Sequence, residues 1–166
     1  MDLFRLDGAV AVVTGGHDVR SDVVATQFDV HAKYGGIVPE LASRAHLEHI
    51  RPIIESTLED ADVSYPDLDA IAVTAGPGLI GSLLIGVTAA KTFAYAVGAE
   101  LVAVNTLQTI AHQAPADIAD LWAVLNAQRK ELCVARFERA EDGTLRETAS
   151  TRIVKAADWL EALPEP

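Results

Sequence analysis

Histidines within residues 31–50 are the first side chains whose type and spacing could do chemistry. His46 and His49 lie three residues apart, on one face of a helix, and His31 precedes a Gly-Gly turn. A zinc site would need a third ligand and a pocket closed to water. The side chains around the pair are those of a solvated helix face: Arg44, Glu48 and Arg51. The pattern therefore favours surface or helix-lining histidines, and we predict no metal ligand.

A glycine-rich turn spells G-x-G-x-x-G from Gly76 to Gly81. A dinucleotide site would place this motif after the first strand, with an acidic residue ending the next strand. Here three predicted strands precede the strand that leads into the motif, and Glu100 begins its strand. The amides of the following helix could still attract an anion, with Gly76 and Gly78 as the binding residues. A purely structural tight turn is the favoured alternative, and we predict no cofactor.

Candidate nucleophiles occur without a recognisable local partner. They are Ser43, Thr74, Ser82 and Cys133. None has a histidine and a carboxylate at a familiar spacing, although catalytic triads assemble in space and not along the chain. We predict no catalytic residue.

The composition indicates a folded, acidic, intracellular protein. The 166 residues are 50% hydrophobic, enough for a real core. A net charge of -11 disfavours unaided binding to a phosphate backbone. The single cysteine, Cys133, allows no internal disulfide, and the first residues carry no apolar signal sequence. We expect a cytoplasmic protein.

The apolar segment from Leu79 to Ala99 has the length of a membrane span. Lys91 lies at its middle, where a charge costs roughly 2.5–3.5 kcal/mol on insertion scales. We therefore expect no membrane span, and a helix buried on most sides in a soluble α/β domain.

Short strands and helices follow each other in a regular order. The predicted strands of the first part are Leu3–Leu6, Ala9–Val13, Asp22–Phe28, Ala70–Val73 and Glu100–Val104, with turns at Asp7-Gly8 and at Thr14–Asp18. The first predicted helix begins at Pro39. The other two predicted helices are Ile80–Val97 and Thr106–Gln113. Pro52 should kink or divide the first helix, because it lacks a backbone donor.

This order is typical of an RNase H-like α/β lobe, with a mixed sheet of five strands and flanking helices. After Ala116 the pattern restarts with predicted strands Leu121–Leu125, Leu132–Glu138 and Leu145–Val154, followed by a helix Lys155–Leu163. We predict a first lobe over residues 1–116 and an incomplete second lobe over residues 117–166.

Two long motifs resemble the TsaD/TsaB family, formerly described as M22 glycoproteases. They are Tyr34-Gly-Gly-Ile-Val-Pro-Glu-Leu-Ala-Ser-Arg-Ala-His46 and Thr74-Ala-Gly-Pro-Gly-Leu-Ile-Gly-Ser-Leu-Leu-Ile-Gly-Val-Thr-Ala-Ala-Lys91. The resemblance implies an ASKHA fold and a role in making threonylcarbamoyladenosine next to the anticodon of tRNA. Up to about Ala96 the chain resembles the catalytic TsaD. Residues 104–111 and 125–135 resemble TsaB, its non-catalytic partner.

The departures from TsaD concern its functional residues. The helix that carries His-x-x-x-His for the metal in TsaD corresponds here to Asn105–Thr109, which contains no histidine. The Ser-Gly-Gly-His loop and the acidic, Cys-containing phosphate loop of the family are also missing. A tight Asp7-Gly8 turn stands in place of the phosphate loop. The absence of that loop disfavours a nucleotide-binding protein of the kinase type.

The resemblance implies that the helix beginning at Pro39 and the helix ending at Val97 form the surface through which TsaB and TsaD lobes dimerise. The predicted interface residues are His46, Leu47, Leu83, Gly86, Val87, Ala90 and Ala94. Small residues would let helices approach closely, with Leu84 adding apolar contact, although the same residues could simply cover their own sheet.

We therefore predict a TsaB-like dimerisation subunit that binds and stabilises a TsaD-like protein, and that has no cofactor or chemistry of its own. A TsaE-like ATPase is a further implied partner, tRNA contact would be indirect, and self-association in the absence of the partner stays open. The alternative is a fragment or hybrid of the TsaD transferase itself.

Overall fold

The computed structural model describes residues 8–15, 18–26 and 38–162. The strands are β1 (Gly8–Gly15), β2 (Asp18–Thr26), β3 (Ala70–Gly76), β4 (Glu100–Asn105), β5 (Asp120–Asn126), β6 (Glu131–Arg139) and β7 (Leu145–Lys155). The helices are α1 (Pro39–Asp60), α2 (Ile80–Val97), α3 (Thr106–His112) and α4 (Ala156–Glu161), with a short 3-10 helix at Tyr65–Asp67.

Hydrogen bonding divides the described strands into three sheets. β1 pairs antiparallel with β2, β3 pairs with β4, and β5, β6 and β7 form an antiparallel meander in that order. The predicted α/β class and the second meander are confirmed. The single five-stranded sheet is not formed among the described residues, where its strands belong to two separate pairs. The predicted strand Leu3–Leu6 lies outside the described residues.

Helix α1 begins as its sequence predicts, with a proline in its first turn. Pro52 was expected to kink or divide the helix; division is wrong, because α1 continues through it to Asp60, and a kink stays a prediction. Both Pro52 and Glu48, whose carbonyl loses its partner, lie on the exposed side of the helix. Water can satisfy that carbonyl, which lowers the cost of a proline inside a helix.

Helix α2 has the bounds that the sequence predicts, Ile80–Val97. It ends at Gly98, whose φ of 77° is left-handed and whose N–H donates to the Ala94 carbonyl at 2.9 Å. A glycine adopts this conformation without strain, so the helix stops there.

The chain divides by contact into two units. The first comprises its described residues up to Val73 together with Leu79–Ala103. Val13, Leu58 and Ala61 form its buried cluster. The Arg20 guanidinium donates to the Ala61 carbonyl at 2.7 Å, which ties β2 to the end of α1. A cation at the carboxyl end of a helix is also favoured by the helix dipole.

The second unit comprises Thr74–Gly78 and the chain from Val104 onward. Its core lies between α3 and one face of the β5-β6-β7 sheet. The fully buried members are Leu107, Ala111, Ala123, Ala135 and Phe137. Because α3 packs on β5, contacts place α3 with this unit, whereas the sequence assigns it to a first lobe ending at residue 116. The lobe boundary itself stays a prediction.

Candidate partner-binding surface

Helix α2 leaves three large apolar side chains exposed. Ile80, Leu84 and Tyr95 are 85%, 66% and 93% exposed, and the buried residues of the helix are Ala90 and Ala94. The expectation of a helix buried on most sides is therefore wrong. Burial of apolar side chains is the main favourable term in folding and association, so such a helix is typical of a surface that a partner covers.

Four small residues of α2 face their own chain: Gly81, Gly86, Ala90 and Ala94. A Cβ built on Gly81 would lie 2.4 Å from the Ser43 Oγ of α1, and one on Gly86 would lie 3.6 Å from Val73 Cγ2 of β3. Glycine at position 81 thus permits α1 and α2 to pack closely within the unit. Ala90 and Ala94, predicted as interface residues, are buried inside this chain.

The exposed residues recur at helical spacing along the outer side of α2. Ile80, Leu84, Lys91 and Tyr95 follow one another at intervals of four, seven and four residues and are all exposed. We call these four residues the α2 stripe. The predicted interface residues Leu83, Gly86 and Val87 are half-buried beside it.

Helix α1 adds an exposed apolar side chain in a charged setting. Leu47 is exposed, and His46 is half-buried. One turn further on, Arg51 Nε donates to Glu55 Oε1 at 2.7 Å, a hydrogen bond that raises the pKa of the guanidinium. The predicted interface residues of α1 thus lie next to an exposed ion pair.

An aromatic stack joins the segment after α1 to helix α2. The Tyr65 and Phe93 rings are 5.7 Å apart at an interplanar angle of 14°. Burial raises the pKa of the Tyr65 hydroxyl, and the Glu55 carboxylate adds to the effect. Stacked rings at this distance supply apolar contact that helps to fix α2 against α1.

The described part of the chain brings the candidate metal ligands together in no shared site. Among residues 8–15, 18–26 and 38–162, no three histidine, cysteine or carboxylate side chains are grouped to hold a metal. His17 and His31 lie outside these ranges. The Ser82 Oγ is buried with no hydrogen-bond partner in the described chain, so no base contacts it there. Burial raises the pKa of Cys133, which disfavours its thiolate.

The glycine turn before α2 has a structural role. Gly76 has a φ of 130°, a conformation that side chains rarely adopt, and the Gly76-Pro77 peptide is cis. Leu79 caps α2 without a side-chain hydrogen bond. The backbone conformation alone accounts for Gly76, and anion binding at Gly76 and Gly78 stays a prediction.

Asn105 occupies the position where the family resemblance would place the first metal-binding histidine. Its Oδ1 accepts hydrogen bonds from the backbone N–H groups of Leu107 at 2.8 Å and Gln108 at 3.3 Å. The side chain thereby caps helix α3. The residues of this helix do not fit a metal held by two histidines one turn apart, because neither histidine is present.

The sequence did not single out Ile80 and Tyr95 as surface residues. The spacing of Thr88, Lys91, Thr92 and Tyr95 was a signal for the outer side of α2, but the apolar Ile80 and Leu84 lie on the same side and weaken it. By length and composition alone, α2 is apolar enough to cross a membrane, with a mean hydropathy of 1.5 and 11% of it buried.

Comparison with known proteins gives matches in sequence and in structure. A family model for TsaD, tRNA N6-adenosine threonylcarbamoyltransferase, matches residues 18–165. A protein of that name from Lactiplantibacillus plantarum is 56% identical over 97 residues, which are 58% of this chain and 28% of that protein. One from Clostridium novyi is 52% identical over 100 residues, 60% of this chain and 29% of that protein. The chain spans less than a third of the length of these relatives.

Solved structures match nearly the whole chain. YeaZ from Pseudomonas aeruginosa has a TM-score of 0.72 at 17% identity, covering 96% of this chain and 76% of YeaZ. An uncharacterized protein with similarity to peptidase YEAZ from Pseudomonas aeruginosa has a TM-score of 0.70 at 18% identity, covering 96% of this chain and 65% of that protein. At these identities the likeness concerns the fold.

The fold is therefore ASKHA-like, as predicted, and is shared with the YeaZ structures. Since the family model covers most of the chain, the chain belongs to the TsaD/TsaB family of tRNA modification proteins.

Proposed function

We propose that this chain is a TsaB-like subunit that binds and stabilises a TsaD-like protein in a cytoplasmic tRNA-modifying complex, without chemistry of its own. The α2 stripe is the observation that carries the proposal. Its exposed apolar side chains lie on a helix whose small residues already pack against α1 and β3. A partner that covered the stripe would remove this apolar area from water.

Lys91 distinguishes a protein partner from a lipid surface. It is exposed and lies on the α2 stripe between Leu84 and Tyr95. A charge in the centre of a lipid-facing helix is costly, whereas a protein can supply an acceptor or leave the ammonium group at a hydrated rim. The stripe thus suits a water-soluble partner whose own helices are apolar at the contact.

Two further observations support a non-catalytic subunit. The fold is that of the YeaZ structures, YeaZ being another name for TsaB. In addition, Asn105 caps α3 where a TsaD-like enzyme would need a histidine for its metal.

The test is light scattering of the purified chain mixed with a bacterial TsaD. A one-to-one complex is expected for the unmodified chain, and Leu84→Arg should abolish it, because an arginine in an apolar contact loses its hydration without a partner. Ile153→Arg on β7 is the matched control, since Ile153 is 64% exposed and Leu84 is 66% exposed. It should bind as the unmodified chain does.

If both arginine variants bind TsaD as the unmodified chain does, the contact does not lie on α2. A chain that never binds TsaD would overturn the proposal. Binding to neutral lipid vesicles, lost in Leu84→Arg, would assign the stripe to a membrane instead.

The second candidate is a fragment or hybrid of the TsaD transferase, which the names and identities of the curated relatives favour. It predicts metal bound in proportion to the purified chain and threonylcarbamoyl transfer to tRNA by the chain alone. A metal-free chain that is inactive alone and binds TsaD would exclude it.

A further inference from the structure

Lys91 is the only charged residue of helix α2. The helix reads IGSLLIGVTAAKTFAYAV and contains no aspartate or glutamate. Lys91 is exposed on the α2 stripe, with Leu84 before it and Tyr95 after it. A single charge on an otherwise uncharged binding face limits which partners that face accepts, because a partner must either match the charge or leave it unpaired.

No carboxylate of the described chain pairs with this lysine. Among residues 8–15, 18–26 and 38–162, the two ion pairs join Arg51 to Glu55 and Arg136 to Asp120. Glu55 lies on the neighbouring helix α1, and its Oε1 already accepts a hydrogen bond from Arg51 Nε at 2.7 Å. The Lys91 ammonium group therefore faces water in the free chain.

The position of Lys91 within the stripe means that a partner covers it. Leu84 and Tyr95 are about 16 Å apart along the helix, at 1.5 Å per residue, and Lys91 lies between them. A standard contact of about 800 Å² per partner is roughly 30 Å across. A protein that buries Leu84 and Tyr95 thus also covers Lys91. An ammonium group that loses its water without gaining an acceptor is strongly unfavourable.

We infer that Lys91 selects the partner: its ammonium group pairs with a carboxylate of the TsaD-like protein, and it disfavours a second copy of this chain. This inference rests on the proposed function and adds the chemistry of the contact. The partner's covering surface is apolar where it meets Leu84 and Tyr95, and it carries an aspartate or glutamate opposite Lys91. A charge-assisted hydrogen bond in such a contact fixes which residues face each other.

A second copy of α2 cannot supply that carboxylate. Pairing α2 with α2 about a two-fold axis brings two Lys91 side chains into one contact and adds no acidic group from either helix. Like charges in a shared apolar contact lower the affinity. Lys91 thus weakens self-pairing through the α2 stripe and favours the complex with a different protein. A residue that raises one affinity and lowers the other makes the surface selective.

The first test measures the affinity for a bacterial TsaD. Lys91→Glu should weaken binding at least roughly 30-fold, because it places a carboxylate opposite a carboxylate. Lys91→Arg, which keeps the charge, should bind within about threefold of the unmodified chain. Lys130→Glu is the matched control, since it makes the same change of charge at an exposed lysine in the turn between β5 and β6. It should bind TsaD as the unmodified chain does.

The second test measures self-association by sedimentation and does not need TsaD. Lys91→Met removes the charge and keeps an unbranched side chain, so two copies should associate at least roughly fivefold more tightly than the unmodified chain. The same variant should bind TsaD more weakly than the unmodified chain, because it leaves the partner's carboxylate unpaired. The opposite signs of the two changes distinguish selection by charge from a general effect on stability.

The outcomes separate this inference from the proposed function. If the unmodified chain does not bind TsaD, both fail. If it binds and Leu84→Arg abolishes binding while Lys91→Glu binds normally, the proposed function stands and the role of Lys91 is wrong. Self-association of Lys91→Met that is no stronger than that of the unmodified chain would also overturn the inference, and a weaker one would place the acceptor in a second copy.

Discussion

Replacing Gly81 by alanine tests the close approach of α1 and α2. The new Cβ would lie 2.4 Å from Ser43 Oγ, which is closer than such atoms come, and 3.4 Å from Ser43 Cβ, at the limit of ordinary contact. Overpacking of this kind typically costs about 1–3 kcal/mol. The gain in helix propensity from glycine to alanine is at most about 1 kcal/mol, and smaller in the first turn of a helix. We expect Gly81→Ala to lower the free energy of unfolding by about 1–2 kcal/mol.

Two further variants make this prediction specific. In Gly86→Ala the Cβ would meet Val73 Cγ2 at 3.6 Å, an ordinary contact, so helix propensity should dominate and stabilise the protein by about 0.5–1 kcal/mol. In the double variant Gly81→Ala/Ser43→Ala the hydroxyl that causes the 2.4 Å contact is absent. The two substitutions should therefore couple favourably, by about 1 kcal/mol or more.

Urea denaturation followed by circular dichroism at 222 nm is the assay, because α1 and α2 are the two longest helices of the described chain. Stabilisation by Gly81→Ala equal to that by Gly86→Ala would refute the reasoning. So would a double variant whose stability is the sum of the single effects, since the contact with Ser43 would then not be the cause.

Three predictions concern the second unit. Asn105→Ala should lower the free energy of unfolding by about 1 kcal/mol, whereas Asn105→Asp, which keeps an acceptor for the N–H groups of α3, should not; tryptophan fluorescence in urea would measure both. The hydrogen bond from Arg136 lowers the pKa of the Asp120 carboxyl in the folded state. The ionised carboxylate therefore stabilises the fold above the unfolded pKa of about 3.9, and this stabilisation is lost as the pH falls through the lower pKa of the folded state. The stability difference between the unmodified chain and Asp120→Asn should thus be present at neutral pH and vanish in acid; a difference that persists there would contradict this cause. Burial, followed by the Glu131 charge, raises the pKa of Cys133, so a thiol reagent should modify the folded chain much more slowly than the urea-unfolded chain, and rapid stoichiometric modification of folded protein would contradict that burial.

Local sequence patterns determined where most secondary structure begins and ends. The bounds of α2 agree with the sequence prediction, because a glycine turn precedes the helix and Gly98 stops it. The meander β5-β6-β7 followed from alternating strands separated by turn residues. The motifs also placed the chain in its family, since they preserve residue identities over long runs.

Tertiary contacts determined which side of each helix is buried and which side is exposed. The outer side of helix α2 mixes apolar residues with Lys91, so periodicity gave no clear outward direction. The close approach of Gly81 to Ser43 and of Gly86 to Val73 turns these small residues inward and leaves Leu84 and Tyr95 exposed. Pro52 predicted a kinked or divided α1, and its exposed position allows the helix to continue undivided. Strand pairing and helix packing join residues that are far apart in the chain, and local sequence patterns do not show which distant residues come into contact.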